Sequence, residues 1–118
     1  MDLAGKLQLK PGQSVAIVNA PEDAVLELAD HPIATGPGEA DAVIVYCTNQ
    51  AELTELRDDL VSAARRDALT WVGYPKARQL DTDLSRDLLA ELVRAHGVQP
   101  VRQIALDDVW SALRLRPA

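Results

Sequence analysis

Val15-Ala16-Ile17-Val18 and Ala42-Val43-Ile44-Val45-Tyr46-Cys47 are apolar at every position and rich in β-branched residues. A strand with one wet face alternates apolar and polar side chains, whereas a strand that is apolar throughout needs a packing layer on each side. Each run is followed by a stretch with helical spacing of its leucines and alanines. That alternation confines the chain to three-layer α/β architectures, with the first run expected in the middle of the sheet.

The remaining elements follow from turn and cap chemistry. Lys10-Pro11-Gly12 is a turn that feeds a strand over Ser14–Asn19. Pro21 suits the first turn of a helix, Asn19 is placed to cap it, and Val25, Leu26, Leu28 and Ala29 give it an inward side until His31-Pro32 stops it. Residues 32–35 read as a brief second strand before the turn Gly36-Pro37-Gly38, and the next strand runs from Asp41 to Thr48. Asn49, three residues ahead of Glu52, opens a helix whose Leu53, Leu56, Leu60, Val61 and Ala64 share one face. Ala68–Tyr74 is a strand ended by Pro75, and Lys76–Asp81 is a loop. Thr82 or Asp83 then caps a helix carrying Leu84, Leu88, Leu89, Leu92 and Val93, which leaves through a left-handed residue at His96-Gly97. Val101–Leu106 and Trp110–Arg116 are strands joined by a turn at Asp107-Asp108.

Right-handed crossovers make such strand–helix units parallel, while two strands joined by a short turn pair antiparallel or lie at an edge. The predicted fold is therefore one Rossmann-like three-layer α/β domain over residues 1–118, with a mostly parallel sheet that ends in an antiparallel or edge strand pair. That order is similar to the methyltransferase-like branch of the Rossmann class.

The first strand ends in Asn19-Ala20-Pro21, where a dinucleotide loop would carry glycines so that a phosphate could approach the backbone. Glu22 and Asp23 follow, favourable at a helix N-terminus and repulsive to a phosphate. No cofactor is expected on this reading, although Glu39 stands about twenty residues beyond Asn19, the spacing at which an acidic residue meets a ribose. The 118 residues carry a net charge of -6, with three lysines and nine arginines scattered rather than clustered, which disfavours nucleic acid as a partner. The lone Cys47 and the lack of a signal, lipidation or membrane-spanning pattern point to a cytoplasmic protein with no membrane partner.

Conventional catalytic groups are sparse. Cys47 lies inside an apolar strand and reads as a small core residue, and neither His31 nor His96 has a ligand at metal-binding spacing, so neither a catalytic residue nor a metal site is expected. Ligands of open parallel sheets bind beyond the carboxyl ends of the strands, which singles out Asn19, Thr48, Lys76 and Asp107. In the sharpest version, Lys76 pairs with an anionic ligand, Asp107 or Asp108 accepts a hydrogen bond, and Trp110 supplies a flat wall. In the plainer version Asn19 caps a helix, Lys76 is a solvated cation or pairs with Asp81 or Asp83, and Trp110 covers the sheet edge.

Five segments taken together carry a further resemblance: Lys6-Leu7-Gln8-Leu9-Lys10-Pro11-Gly12, Asn19-Ala20-Pro21, Trp71 with Tyr74-Pro75-Lys76, Thr82-Asp83-Leu84, and Asp108 with Trp110-Ser111-Ala112-Leu113-Arg114. As a set they resemble a family of small uncharacterised bacterial proteins, a domain of unknown function, over nearly the whole chain. The chain departs from that pattern at Glu22-Asp23, where the family tends to have glycine, and at Ala77-Arg78-Gln79, where a second lysine and small residues would stand. The resemblance implies the fold and no particular reaction. Two classes of function remain: a noncatalytic binding or interaction module with a protein partner or a second copy, and a small-molecule binder or enzyme related to methyltransferases that use an adenosyl cofactor.

Overall fold

A computed structural model of the chain describes residues 2–34, 36–77 and 79–118. Five strands form one sheet: β1 (Val15–Val18), β2 (Ala42–Tyr46), β3 (Leu69–Pro75), β4 (Val98–Ala105) and β5 (Trp110–Pro117), in the spatial order β1-β2-β3-β5-β4. The first three are parallel, and β5 runs antiparallel to both β3 and β4. The Rossmann-like α/β fold expected from the sequence is the fold observed, including the antiparallel terminal pair. The helices are α1 (Leu3–Lys6), α2 (Glu22–Glu27), α3 (Gln50–Arg65) and α4 (Arg86–Arg94).

Alternation along the strands divides the core in two. Val43, Val45, Cys47, Val72, Tyr74, Leu113 and Leu115 face α3 and α4, meeting Leu53, Leu60, Leu89 and Val93. Ile44, Tyr46, Trp71 and Ala112 face the other way, towards Leu3, Leu7, Ala24 and Leu28 of the α1–α2 layer. β2 is buried at all five positions, as its composition requires. Each fully buried leucine of this set contributes roughly 1.5–3 kcal/mol relative to leaving it in water.

Several details depart from the sequence reading. β1 is an edge strand, not a central one, because the segment expected as a second strand over 32–35 makes only a single parallel bridge, Ile33 to Val15, with Thr35 outside the described residues. Ile33 is 69% exposed, so no apolar face drives it to extend the sheet. The N-cap of α2 is Pro21, which has no side-chain bond to offer, and Asn19 spends its amide elsewhere. Ser85, not Thr82 or Asp83, caps α4 by accepting from Leu88 N at 3.2 Å, and Leu84 lies ahead of the helix. β4 begins at Val98, three residues earlier than expected, because Val98 is fully buried and pairs with Pro117; an irregularity between Pro100 and Arg102 hid the alternation.

Other expectations hold in detail. Asn49 caps α3, its side chain accepting from Glu52 N at 2.9 Å. Gly97 follows α4 with φ +79°, a conformation that costs glycine nothing. α1 went unread, since four residues are too few to show a period. It is held by Asp2, which accepts from Gly5 N at 2.8 Å, and by Leu3, which is buried on the sheet.

The N-terminal layer is fastened to the sheet by Trp71, fully buried on β3, whose indole N–H donates to the Leu7 carbonyl at 2.9 Å. Trp71→Phe leaves that buried carbonyl without its donor, a loss worth about 1–3 kcal/mol before any packing defect is added. Urea unfolding should show the midpoint fall accordingly.

Candidate functional site

All three parallel strands end on the same side of the sheet, and β5 begins there. β1 exits into Asn19, which adopts φ +58°, a left-handed conformation asparagine tolerates better than most residues. That turn aims its amide across the sheet end: Nδ2 donates to the Tyr46 carbonyl at 2.9 Å and to Glu52 Oε1 at 2.8 Å. The same Glu52 oxygen accepts from Thr48 N at 2.8 Å. The Thr48 backbone bond, helped by Asn19, holds the Glu52 carboxyl below its ordinary value against the opposing effect of burial. Asn19, Thr48 and Glu52 thus form a closed brace linking β1, β2 and the start of α3.

This brace occupies the place where the topology would put a ligand. The chain goes outward from β1 through α2 to the Ile33 bridge, then returns across β1 to β2. The order reverses between β1 and β2, and crevices at such reversals are where open α/β sheets bind ligands. Here Asn19 and Glu52 bond to one another across it. Glu39, the residue at ribose-binding spacing, precedes β2 and so sits at the amino end of the sheet, away from this crevice.

An open cavity of about 430 Å³ lies to one side, between the carboxyl end of the sheet and the α1–α2 layer. Its aromatic wall is a T-shaped pair, Tyr46 against Trp110, with ring centroids 5.0 Å apart and planes at 79°. The pair depends on small residues across the sheet: Tyr46, Gly73 and Ala112 stand in register on β2, β3 and β5. A Cβ on Gly73 would lie 3.0 Å from Tyr46 Cδ2, tighter than ordinary contact, so a side chain there would press the ring away by a few tenths of an ångström. Leu106 and Pro21 add apolar surface, and Asp23, Glu27 and Asp107 add carboxylates.

The five residues singled out in the sequence are divided among three places. Asn19 and Thr48 belong to the brace. Asp107 and Trp110 line the cavity together. Asp107 is also the residue that builds the β4–β5 turn, its Oδ1 accepting from Val109 N and Trp110 N, each at 2.8 Å. Trp110 is not an edge cover, since β5 is interior to the sheet. Lys76 faces the α4 side, in a separate hollow of about 240 Å³ with Tyr74, Leu84 and Ser85. The reason is alternation: Pro75 pairs with Trp110, so the residue after Pro75 continues on the Tyr74 face and away from the tryptophan. A single pocket shared by Lys76, Asp107 and Trp110 is therefore not what the chain builds. Asp83, offered as a partner for Lys76, instead accepts from Gln50 N at 2.8 Å and fastens the loop to α3.

Tyr46, Asp23 and Glu27 also line this cavity, and the sequence reading does not single them out. Tyr46 lies near the end of an apolar run, and its orientation is readable only by counting from Ile44 to the same face; Asp23 complements the helix dipole, which explains it without reference to a cavity. Burial, with Asp107 and Glu27 adding to it, pushes the Tyr46 phenol up to about 12. Burial, with a smaller contribution from Glu52, likewise pushes the Cys47 thiol up to about 12, so this cysteine is a protonated core residue at neutral pH rather than a nucleophile.

No protein-family model matches the chain, and no curated protein does. The resemblance carried by the Lys-Pro-Gly start and the Trp-Ser ending therefore rests on those residues alone. Solved structures do match. One is a protein of the NADB-Rossmann superfamily from Streptococcus agalactiae, 10% identical, covering 88% of this chain and 51% of its own, with a TM-score of 0.46. Another is the tRNA methyltransferase TrmK of B. subtilis, 12% identical, covering 100% of this chain and 67% of its own, with a TM-score of 0.51. A third is a ribosomal protein methylase from Lactobacillus delbrueckii subsp. bulgaricus, 12% identical over 90% of this chain and 70% of its own, with a TM-score of 0.48. This chain spans about half the length of the first of these, 51%. The chain thus has a Rossmann-like fold with methyltransferase neighbours, and among the described residues no helix is long and apolar enough to cross a membrane.

Both raised groups stabilise the fold through their protonated forms. The unfolded chain releases these protons near the ordinary values of 10.0 and 9.0, the folded chain only near 12, so stability falls as pH rises from about 9 to 12. Thermal melts across that range should show the decline, and Tyr46→Phe and Cys47→Ala should each make it shallower.

Proposed function

We propose that this chain is a noncatalytic binding domain on a Rossmann-like scaffold, and that it binds a small organic molecule in the cavity beside Tyr46 and Trp110. The observation that carries this reading is the cavity itself: about 430 Å³ at the carboxyl ends of the strands, with an aromatic wall and a few polar groups. That volume lies within the roughly 300–1,000 Å³ of ordinary small-molecule sites. Binding without turnover is favoured because, among the described residues, the lining of the cavity carries no serine, cysteine or histidine to act as a nucleophile or as the base that activates one.

The methyltransferase-like alternative takes its support from the fold. Against it stand the brace in the β1–β2 crevice, Asn19 and Pro21 in place of loop glycines, and Glu22 with Asp23 just beyond. Adenosyl compounds therefore belong in the same screen as nucleotides, small acids and amines. A ligand that binds only the folded protein should raise stability by about 2.7 kcal/mol at a hundred times its Kd. The expected result is a thermal shift that disappears in Trp110→Ala and is retained in Trp110→Phe, which keeps a ring in the wall. A bound compound indifferent to Trp110→Ala, or no shift from any compound, would overturn the cavity as the site.

Self-association is a second reading, favoured by exposed apolar side chains on α2 and beside the β1 edge: Leu26 at 67% and Val25 at 45% on the helix, and Ile33 at 69% at its bridge to Val15. Sedimentation at rising concentration should then show a dimer that Leu26→Lys abolishes, and a monomer throughout the range would reject it.

A further inference from the structure

Among the described residues, four carboxylates, of Asp2, Asp23, Glu27 and Asp107, line the cavity against a single cation, Lys6. Three of these five groups already have structural work: Asp2 caps α1, Asp107 holds the β4–β5 turn, and Lys6 Nζ donates to the Leu106 carbonyl at 2.7 Å. Asp23 and Glu27 are different. They lie one helical turn apart on α2, so both project from the same side of the helix. The ion pairs among the described residues are Arg86–Asp87 and Arg116–Asp67, and neither involves them.

We propose that the cavity takes an organic cation, an amine or quaternary ammonium compound, with its charged nitrogen between Asp23 and Glu27 and its hydrocarbon against Tyr46 and Trp110. The inference rests on the reading of the cavity as the binding site and supplies the class of ligand. Carboxylates attract a cation through their formal charge, and the aromatic pair beside them offers apolar surface to the carbon skeleton that bears it. A bare metal ion does not fit, since no group of three or more His, Cys, Asp and Glu among the described residues is placed to hold one. Carboxylates spread around an apolar hollow match a charge borne on a carbon skeleton. A phosphate-bearing ligand would meet the same carboxylates as repulsion. The upward push that Glu27 and Asp107 give the Tyr46 phenol agrees with a negative field in the cavity.

The test uses isothermal titration calorimetry and thermal shift on the whole chain with butylammonium, tetramethylammonium and spermidine, beside neutral butanol and anionic AMP. Cations are expected to bind, with affinity lowered at least tenfold in Asp23→Asn/Glu27→Gln. Both residues are exposed, so this variant should fold as the parent does. A control, Asp58→Asn/Asp59→Asn, removes the same charge from exposed positions on α3 and should leave binding intact. Equal weakening in both variants would mean attraction to an acidic surface in general and would overturn the proposal. Binding of butanol, AMP or another screened compound that depends on Trp110, without binding of the cations, would overturn the ligand class and leave the site standing. No Trp110-dependent binding by any compound would overturn both.

Discussion

Tyr46 ends β2 with its carbonyl accepting from Asn19 and its ring lying against Gly73, in a T-shaped pair with Trp110. Its backbone therefore serves the join between β1 and β2, while its side chain forms the wall shared by β2, β3 and β5. These two roles are coupled through the rigid end of a strand buried at every position. A shift of the ring would need either Gly73 to move in the middle of the sheet or Trp110 to give up its contact. Trp110 is in turn fixed by Asp107, which accepts from its backbone N–H. The geometry of the cavity is set by the packing of the sheet, so the wall is preorganised by the same contacts that hold the fold.

The departure from a nucleotide-binding arrangement has a physical origin at Asn19. Glycine there would reach positive φ freely and leave the crevice between β1 and β2 open. Asparagine reaches it too, but brings an amide that bonds to both Tyr46 and Glu52. Glu52 is then committed to two donors, Thr48 N and Asn19 Nδ2, and its carboxylate is stabilised in the charged form. The crevice is thus closed by a hydrogen-bonded unit rather than by bulk, and open space is left on the α1–α2 side, where the covering helices are short.

The strands, the two long helices and the antiparallel ending were legible because each writes a strong local pattern: unbroken apolar runs for β1 and β2, leucines at helical spacing with Asn49 as cap for α3, and a polar turn at Asp107-Asp108. What the sequence hid depends on distance along the chain. Whether β1 is central or at an edge is decided by whether residues near Ile33 form a strand, and local propensity does not say so. Asn19 has the same composition signal as a helix cap and as a cross-strand brace; only the position of Tyr46, 27 residues away, distinguishes them. Lys76 and Trp110 both stand at strand ends, yet the pairing of Pro75 with Trp110 puts their side chains on opposite faces. Register therefore decides which of the residues named at the strand ends face the same cavity and which do not.

α2 shows why the two cavity carboxylates are well placed despite being exposed. A helix of six residues has no stability of its own, because nucleation costs more than so few hydrogen bonds return. It persists by burying Ala24, within the helix, and Leu28, at its C-cap, against the sheet. Asp23 and Glu27 each immediately precede one of these anchors, so their positions repeat the same one-turn interval. The anchors fix the roll of the helix about its axis, and that roll turns both carboxylates to the cavity while leaving Leu26 in water. A shift of one residue in that pattern would carry the charges away from the hollow and bring an apolar side chain to its rim. The placement of these two charges is therefore set by two buried aliphatic contacts that carry no charge at all.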